Sequence, residues 1–223
     1  MYLSSGASID PNIATILERN NGEILIGTSG HSMFLLETRG DSIKARQISR
    51  FISSNLITYA YEDRKGNLWI ATGDNGIFRF DKNNQSKHYS GEKDIAKNTV
   101  SSMCEDKQGN LYMSSLKKGL FIYDDKKDVF IPFTDTPNPD LPIKILYPGD
   151  QNEIFIGTDG SGMKVYDTQE QKIKEANFNI TTFNLKKAKV HSILKDKIGN
   201  IWLGFFQKGV MIIPATTNEF KYM

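Results

Sequence analysis

The residues of this sequence whose types and spacing best suit chemistry are acids in adjacent pairs. Glu62-Asp63 and Glu105-Asp106 each set two carboxylates side by side, and a pair of carboxylates flanking a sugar acetal is the apparatus of glycosidic hydrolysis. The pairs return 43 positions apart, each followed by two residues and a glycine. Acids that recur at one place in successive units lie on separate units, and turn formation explains them better than catalysis. An Asp side chain accepts hydrogen bonds from backbone amides just downstream, and a Gly three residues on tolerates positive φ. The three histidines, His31, His88 and His191, occupy different places in the pattern and match neither metal nor triad spacing. Cys104 is the single cysteine; it cannot form an internal disulfide and reads as a small buried hydrophobe. No catalytic residue, metal site or cofactor is expected.

Groups suited to binding lie in short variable segments: Ser29-Gly30-His31, Gly73-Asp74-Asn75, Leu116-Lys117-Lys118, Asp159-Gly160-Ser161 and Phe206-Gln207-Lys208. The candidate ligand contacts there are His31, Asp74, Asn75, Lys117, Lys118, Asp159, Ser161, Phe206, Gln207 and Lys208. Amide, carboxylate, ammonium and aromatic groups in one neighbourhood can hydrogen-bond sugar hydroxyls and stack on a pyranose face. A second, weaker row is Ala14, Thr58, Ser101, Lys144 and His191, one residue into five apolar runs, where it could line a central channel.

These segments are positioned by a repeat. Gly22-Glu23-Ile24-Leu25-Ile26-Gly27-Thr28 returns as Gly66-Asn67-Leu68-Trp69-Ile70-Ala71-Thr72, then at Gly109–Ser115, Asn152–Thr158 and Gly199–Phe205. The first apolar residues, at 24, 68, 111, 154 and 201, are 44, 43, 43 and 47 positions apart. A second element, Gly76-Ile77-Phe78-Arg79-Phe80-Asp81, keeps the same phase at Gly119 and Gly162, with weaker copies at Ser32 and Gly209. With an apolar run before each unit and a more polar one after it, every unit reads as four short strands. Nothing sustains a 3.6-residue period, so helices should be scarce. Four strands in about 43 residues is the sheet of a propeller blade.

The expected fold is therefore all-β: a β-propeller with five four-stranded blades, either a closed five-bladed ring or part of a larger propeller. The chain, 1–223, is one domain or fragment with blades near 13–52, 57–91, 100–135, 143–179 and 190–223, and Met1-Tyr2-Leu3 could add an edge strand. Trp69, Tyr112, Phe155 and Trp202 share one repeat position with Leu25 and should wedge neighbouring blades together. The fourth unit has Gly149-Asp150-Gln151-Asn152 in place of Asp-x-x-Gly, which predicts an altered turn. An open arc would leave two apolar edges, so ring closure or edge pairing is expected.

Composition excludes other classes. Lys plus Arg total 28 against 26 for Asp plus Glu, without the concentrated basic face that displaces counterions from a nucleic acid. No run approaches the ~20 apolar residues of a membrane span, and Met1–Gly6 carries no signal-peptide pattern.

The succession Glu-Asp-x-x-Gly-Asn-Leu-Trp-Ile-Ala-Thr, then Asn-Gly-Ile-Phe-Arg-Phe-Asp, clearest at 57–81 and again at 190–212, resembles the two-component regulator propeller repeat. The resemblance covers nearly the whole chain from Ile13. It implies the periplasmic sensor region of a Bacteroides-type hybrid two-component system, recognising an oligosaccharide and driving a kinase outside this chain. It also implies neighbouring propeller or sensor domains as partners, with a homodimer as a further option, and a fragment of a longer sensor. The alternative is a propeller scaffold for protein–protein contact or dimerisation with no small-molecule ligand.

Overall fold

The computed structural model describes residues 12–215 apart from 31, 40–41, 49–51, 53, 55, 91–98, 151, 177 and 179–183. Met1-Tyr2-Leu3, His31 and the segment expected to supply the fifth blade's outer strand beyond residue 215 lie outside the described residues.

Five antiparallel sheets follow one another in sequence order. Blade 1 comprises β1 (Ile13–Glu18), β2 (Ile24–Thr28), β3 (Met33–Arg39) and β4 (Ser42–Gln47). Blade 2 comprises β5 (Ile57–Glu62), β6 (Leu68–Thr72), β7 (Ile77–Phe80) and β8 (Ser86–Tyr89). Blade 3 comprises β9 (Val100–Glu105), β10 (Leu111–Ser115), β11 (Gly119–Asp124) and β12 (Val129–Pro132). Blade 4 comprises β13 (Ile143–Pro148), β14 (Glu153–Thr158), β15 (Met163–Asp167) and β16 (Lys172–Glu175). Blade 5 shows three strands among the described residues, β17 (Val190–Lys195), β18 (Ile201–Phe205) and β19 (Gly209–Ile213). Among the described residues the only helical element is one short 3₁₀ turn, Leu185–Lys187. The blades succeed one another around a ring, first strand against first strand: β1 on β5, β5 on β9, β9 on β13 and β13 on β17. This is a β-propeller of five blades, as the repeat predicts. Among the described residues no comparable packing joins β17 to β1.

Period-2 alternation decides what each strand face does. One face of a blade carries the row Tyr61, Trp69 and Arg79, paired across β5, β6 and β7; it points forward, to the next blade. The other face carries Ala60, Ile70 and Phe78 and receives the preceding blade. Thus Trp69, 1% exposed, packs among Val100, Met103, Leu111, Met113, Phe121 and Phe130 of blade 3. Leu25 packs on Ile57, Ala60 and Ile70, Tyr112 on Ile143, Leu146 and Ile154, and Phe155 on Val190, Ile193 and Leu203. The wedge expected from sequence is present at all four junctions. Small residues let the second strand pass close to the next blade: a Cβ at Gly157 would lie 2.8 Å from the Val190 carbonyl oxygen.

The fifth member of the aromatic row departs from the rule. Trp202 is 38% exposed, and Leu194, Val210 and Ile212 beside it are also exposed. The reason is positional, since no described sixth sheet stands in front of blade 5.

The Glu-Asp pairs divide their labour. Asp63 accepts from the amides of Lys65 (3.0 Å) and Asn67 (2.8 Å), and from Asn67 Nδ2 and Trp69 Nε1, both at 2.8 Å. Asp106 and Asp196 repeat this pattern, ending on Tyr112 Oη at 3.0 Å and Trp202 Nε1 at 2.9 Å. The turn reading of the aspartates holds, and each also anchors the wedge aromatic of its own blade. The glutamates instead face backward. Glu62 accepts from the Asn20 amide (2.6 Å) and from Arg19, and Glu105 from the Arg64 amide (2.9 Å), so each latches onto the turn of the preceding blade. In blade 4 Gly149 replaces the aspartate; its amide still reaches the Glu153 carbonyl at 2.8 Å, but no carboxylate at that position caps the turn.

Candidate functional site

The variable segments all lie at one end of the blades, where each second strand turns into the third and where chain enters the next blade. Side chains closing each second strand shape these turns. Thr72 Oγ1 donates to the Gly76 carbonyl (2.8 Å) and accepts from the Asn75 amide (3.0 Å). Thr158 does the same with Gly162 and Ser161 at 2.6 and 2.9 Å, and Ser115 Oγ accepts from the Lys117 amide at 3.1 Å. These bonds fix where Asn75, Lys117 and Ser161 leave the sheet.

A β-bulge falls at the start of all five first strands, leaving Ala14, Thr58, Ser101, Lys144 and His191 as the extra residues. A bulged residue is re-aimed relative to its neighbours, so this row is distinct from both packing faces.

The structure separates the sequence candidates into three groups. Some serve the scaffold. Asp74 accepts a short hydrogen bond from Ser54 Oγ, which in turn accepts from the Leu56 amide at 3.0 Å, tying the loop to the segment that enters blade 2. Lys118 pairs with Asp140 at 3.2 Å in the connection to blade 4. The Asn75 carbonyl lies 2.6 Å from His88 Nε2, whose ring stacks on Phe78 at 4.1 Å. Others, Lys117, Gln207 and Lys208, are exposed on their loops, with Gln207 at φ 57°; Ser161 is half-buried.

The third group converges. Asp159, from the β14–β15 loop, meets Lys189 at 3.0 Å and His191 Nε2 at 3.5 Å. The His191 ring lies 5.2 Å from the Phe206 ring, and Lys189 Nζ stands 5.6 Å from the same ring. Asp159 and Lys189 also form a backbone bridge. Three chain segments from two blades thus place a carboxylate, an ammonium, an imidazole and an aromatic face together. The ion pair with the Lys189 ammonium, with His191 nearby, holds the Asp159 carboxyl below the ordinary carboxylate range. All four side chains remain partly open to solvent.

Lys189 escapes sequence reasoning because it precedes a first strand, in a connection that carries no repeat signal. His191 was visible only as one member of the channel row. The carboxylate pairs supply no catalytic centre, because Glu62 and Glu105 are engaged with separate blades. Among the described residues no cluster of three or more His, Cys, Asp or Glu could hold a metal ion. No described helix is long and apolar enough to cross a membrane.

Comparison with known proteins agrees with this architecture. Residues 52–74 and 94–117 match the two-component regulator propeller family. No curated protein matches the chain in sequence. Among solved structures, the extracellular domain of the hybrid two-component system BT3049 from B. thetaiotaomicron superposes with a TM-score of 0.73 at 20% identity. The match covers 92% of this chain and 27% of that one. Catalytically inactive H270A virginiamycin B lyase from Staphylococcus aureus superposes at 0.66 with 13% identity, covering 95% of this chain and 73% of the lyase. PorZ, a surface component of the type-IX secretion system of Porphyromonas gingivalis, gives 0.65 and 17%, over 90% and 32%. This chain therefore spans about a quarter of the length of the two-component relative. At these identities the likeness concerns the fold. The chain is a five-bladed propeller whose second and third blades match the two-component regulator propeller family and whose fold resembles that of the extracellular domains of hybrid two-component systems.

Proposed function

We propose that this chain is the non-catalytic, ligand-binding part of an extracytoplasmic sensor, that it recognises an oligosaccharide on its loop face, and that it signals to a kinase carried elsewhere. The observation that carries the reading is the convergence of Asp159, Lys189, His191 and Phe206 from two blades. An exposed aromatic face beside ionised and hydrogen-bonding groups suits a pyranose ring, which offers a C–H face for stacking and hydroxyls for polar contacts. The repeat match and the extracellular two-component relatives support the placement outside the cytoplasm. The lyase relative shares only the fold, and function resides in sites rather than folds.

Titration calorimetry against oligosaccharides of defined linkage tests the proposal. Saturable binding of one glycan class, recovered uncleaved, with loss of binding in Phe206→Ala, is the expected result. Conversion of the bound glycan would overturn the non-catalytic part. Binding to no member of a broad panel would sink the sensor reading and favour a protein-binding scaffold.

A further inference from the structure

The junction between blades 2 and 3 is filled by aromatic rings beside one ion network. Trp69 meets Tyr123, Phe130 and Tyr89 at centroid distances of 5.1, 5.5 and 5.7 Å. Next to them the Asp128 carboxylate accepts from Arg79 at 2.9 Å and from Lys87 and Tyr89 at 2.6 Å. Strand register identifies the same places between blades 1 and 2. Trp69, Arg79 and Lys87 form one cross-strand row, and Leu25, Leu35 and Arg46 form its counterpart. Tyr89 corresponds to Ile48, whose amide donates to the Met33 carbonyl at 2.9 Å. Across the junction the pair Tyr123 and Phe130 corresponds to Phe80 and Ser86. Asp128 and Asn84 both take positive φ, 55° and 59°, in the turn before a fourth strand.

Between blades 1 and 2, then, three rings give way to Leu25, Ile48 and Ser86, and a carboxylate gives way to an amide. Smaller side chains on a scaffold of unchanged strand geometry leave volume unfilled. A cleft of about 480 Å³ opens there, with Leu25, Ile48, Phe80, Arg46 and Asn84 in its lining. Its size falls within the roughly 300–1,000 Å³ of small-molecule pockets. The neighbouring junction has a smaller cleft of about 330 Å³, walled by charged turn residues that include Asp63 and Glu105. The acids around the larger cleft are engaged. Glu23 accepts from Arg19 at 2.8 Å and from Asn21 at 2.9 Å, and Asp81 accepts from the amides of Asn83 and Gln85 at 2.8 Å. Its cations are less so. Arg46 gives Nε to Glu37 of its own sheet at 2.6 Å, which leaves its terminal amino groups for a second acceptor. Lys82, exposed on blade 2, pairs with no carboxylate among the described residues.

We propose that the cleft between blades 1 and 2 binds a small planar aromatic carboxylate. The ring takes the place that Trp69 and Phe130 fill one junction on, against Leu25, Ile48 and Phe80. The carboxylate takes the place of Asp128, between Arg46 and Lys82, where a charge-assisted hydrogen bond to the guanidinium is available. A neutral sugar suits these walls poorly, since they are aliphatic and their polar groups are mainly cations. The site is separate from the Asp159 cluster of blades 4 and 5 and does not depend on glycan recognition there.

Titration calorimetry with 2-naphthoate, its neutral amide 2-naphthamide and the non-aromatic cyclohexanecarboxylate tests the proposal. Saturable one-to-one binding of 2-naphthoate is expected, with the amide and the non-aromatic acid each weaker by about tenfold or more. Asn84→Asp returns the carboxylate that the neighbouring junction has, and like-charge repulsion should weaken 2-naphthoate by about tenfold or more. Leu25→Trp fills the cleft and should abolish binding. Asn84 is exposed in a turn, so its variant leaves the packing intact and gives a reading even if Leu25→Trp does not fold. Absence of saturable 2-naphthoate binding at millimolar concentration would overturn the proposal, as would binding that Asn84→Asp leaves unchanged. Equal affinity for the amide would refute the carboxylate's part in it, and equal affinity for cyclohexanecarboxylate the ring's.

Discussion

Replacing Trp69 and Trp202 separately by alanine isolates what the next blade contributes. Both indoles sit at the same repeat position and both donate to an aspartate of their own turn, at 2.8 and 2.9 Å. Their surroundings differ. Trp69 is 1% exposed, with ring centroids of Tyr123 and Phe130 at 5.1 and 5.5 Å and the Arg79 guanidinium at 5.5 Å. Trp202 is 38% exposed, with no described blade in front of it. A fully buried indole removes about 150–250 Å² from water, or roughly 4–6 kcal/mol at ~25 cal/mol per Å². Compactness of the unfolded chain makes that an upper bound, and truncation in a packed core that relaxes incompletely costs about 3–5 kcal/mol. Trp69→Ala should cost that much, while Trp202→Ala, which removes less buried surface and leaves no enclosed cavity, should cost about 1–2 kcal/mol. Urea denaturation of the two variants, at unchanged m value, measures the difference. Equal losses, or a loss below about 1 kcal/mol for Trp69→Ala, would refute the interblade account.

Three further outcomes follow from the junctions. Asp128 accepts from Arg79 (2.9 Å), Lys87 and Tyr89 (both 2.6 Å) and Tyr123; these partners outweigh its partial burial and hold its carboxyl well below the usual range. A depressed folded pKa stabilises above the unfolded value and the benefit is lost in acid, so the advantage of wild type over Asp128→Asn should shrink as pH falls below about 4. Glu105 behaves oppositely, since burial raises its pKa. Its ionisation opposes folding, so wild-type stability relative to Glu105→Gln should decline as pH rises through and above about 4.5, measured by denaturant midpoints across pH. Burial also pushes the Cys104 thiol far up, so a thiol reagent should react with the native protein at least ~100-fold more slowly than with urea-unfolded chain. Rapid native reaction would mean that the junction between blades 3 and 4 opens.

The blade architecture was legible because its determinants are local and repeated. Gly-Asn turns, period-2 alternation and an aromatic at one strand position return in phase, and each boundary residue from Ile13 to Val190 begins a first strand. The aspartates were equally readable, since Asx turns use neighbours in sequence. The glutamates were not. Their partners lie 41 to 43 positions away in the preceding blade, and the same Glu-Asp dipeptide fits a purely local role. The candidate cluster was legible only in part for the same reason. Composition pointed to Asp159 and Phe206, but the loop at Asp74 proved to be bound to Ser54, and Lys189 joins Asp159 across a blade boundary that no motif marks. Trp202 reads as core by analogy with Trp69, and its exposure depends on what stands in front of it, which a repeat pattern does not encode.

The most direct test of the sensor reading is the thermal shift of the purified chain across a library of oligosaccharides of defined linkage, with Phe206→Ala measured alongside. A ligand at 100 times its dissociation constant adds about 2.7 kcal/mol, or roughly 5–10 °C for a chain of this size. A shift of that order with one glycan class, absent in Phe206→Ala, is the predicted result. No shift with any glycan, or one that Phe206→Ala leaves intact, would contradict recognition at the Asp159–Phe206 cluster.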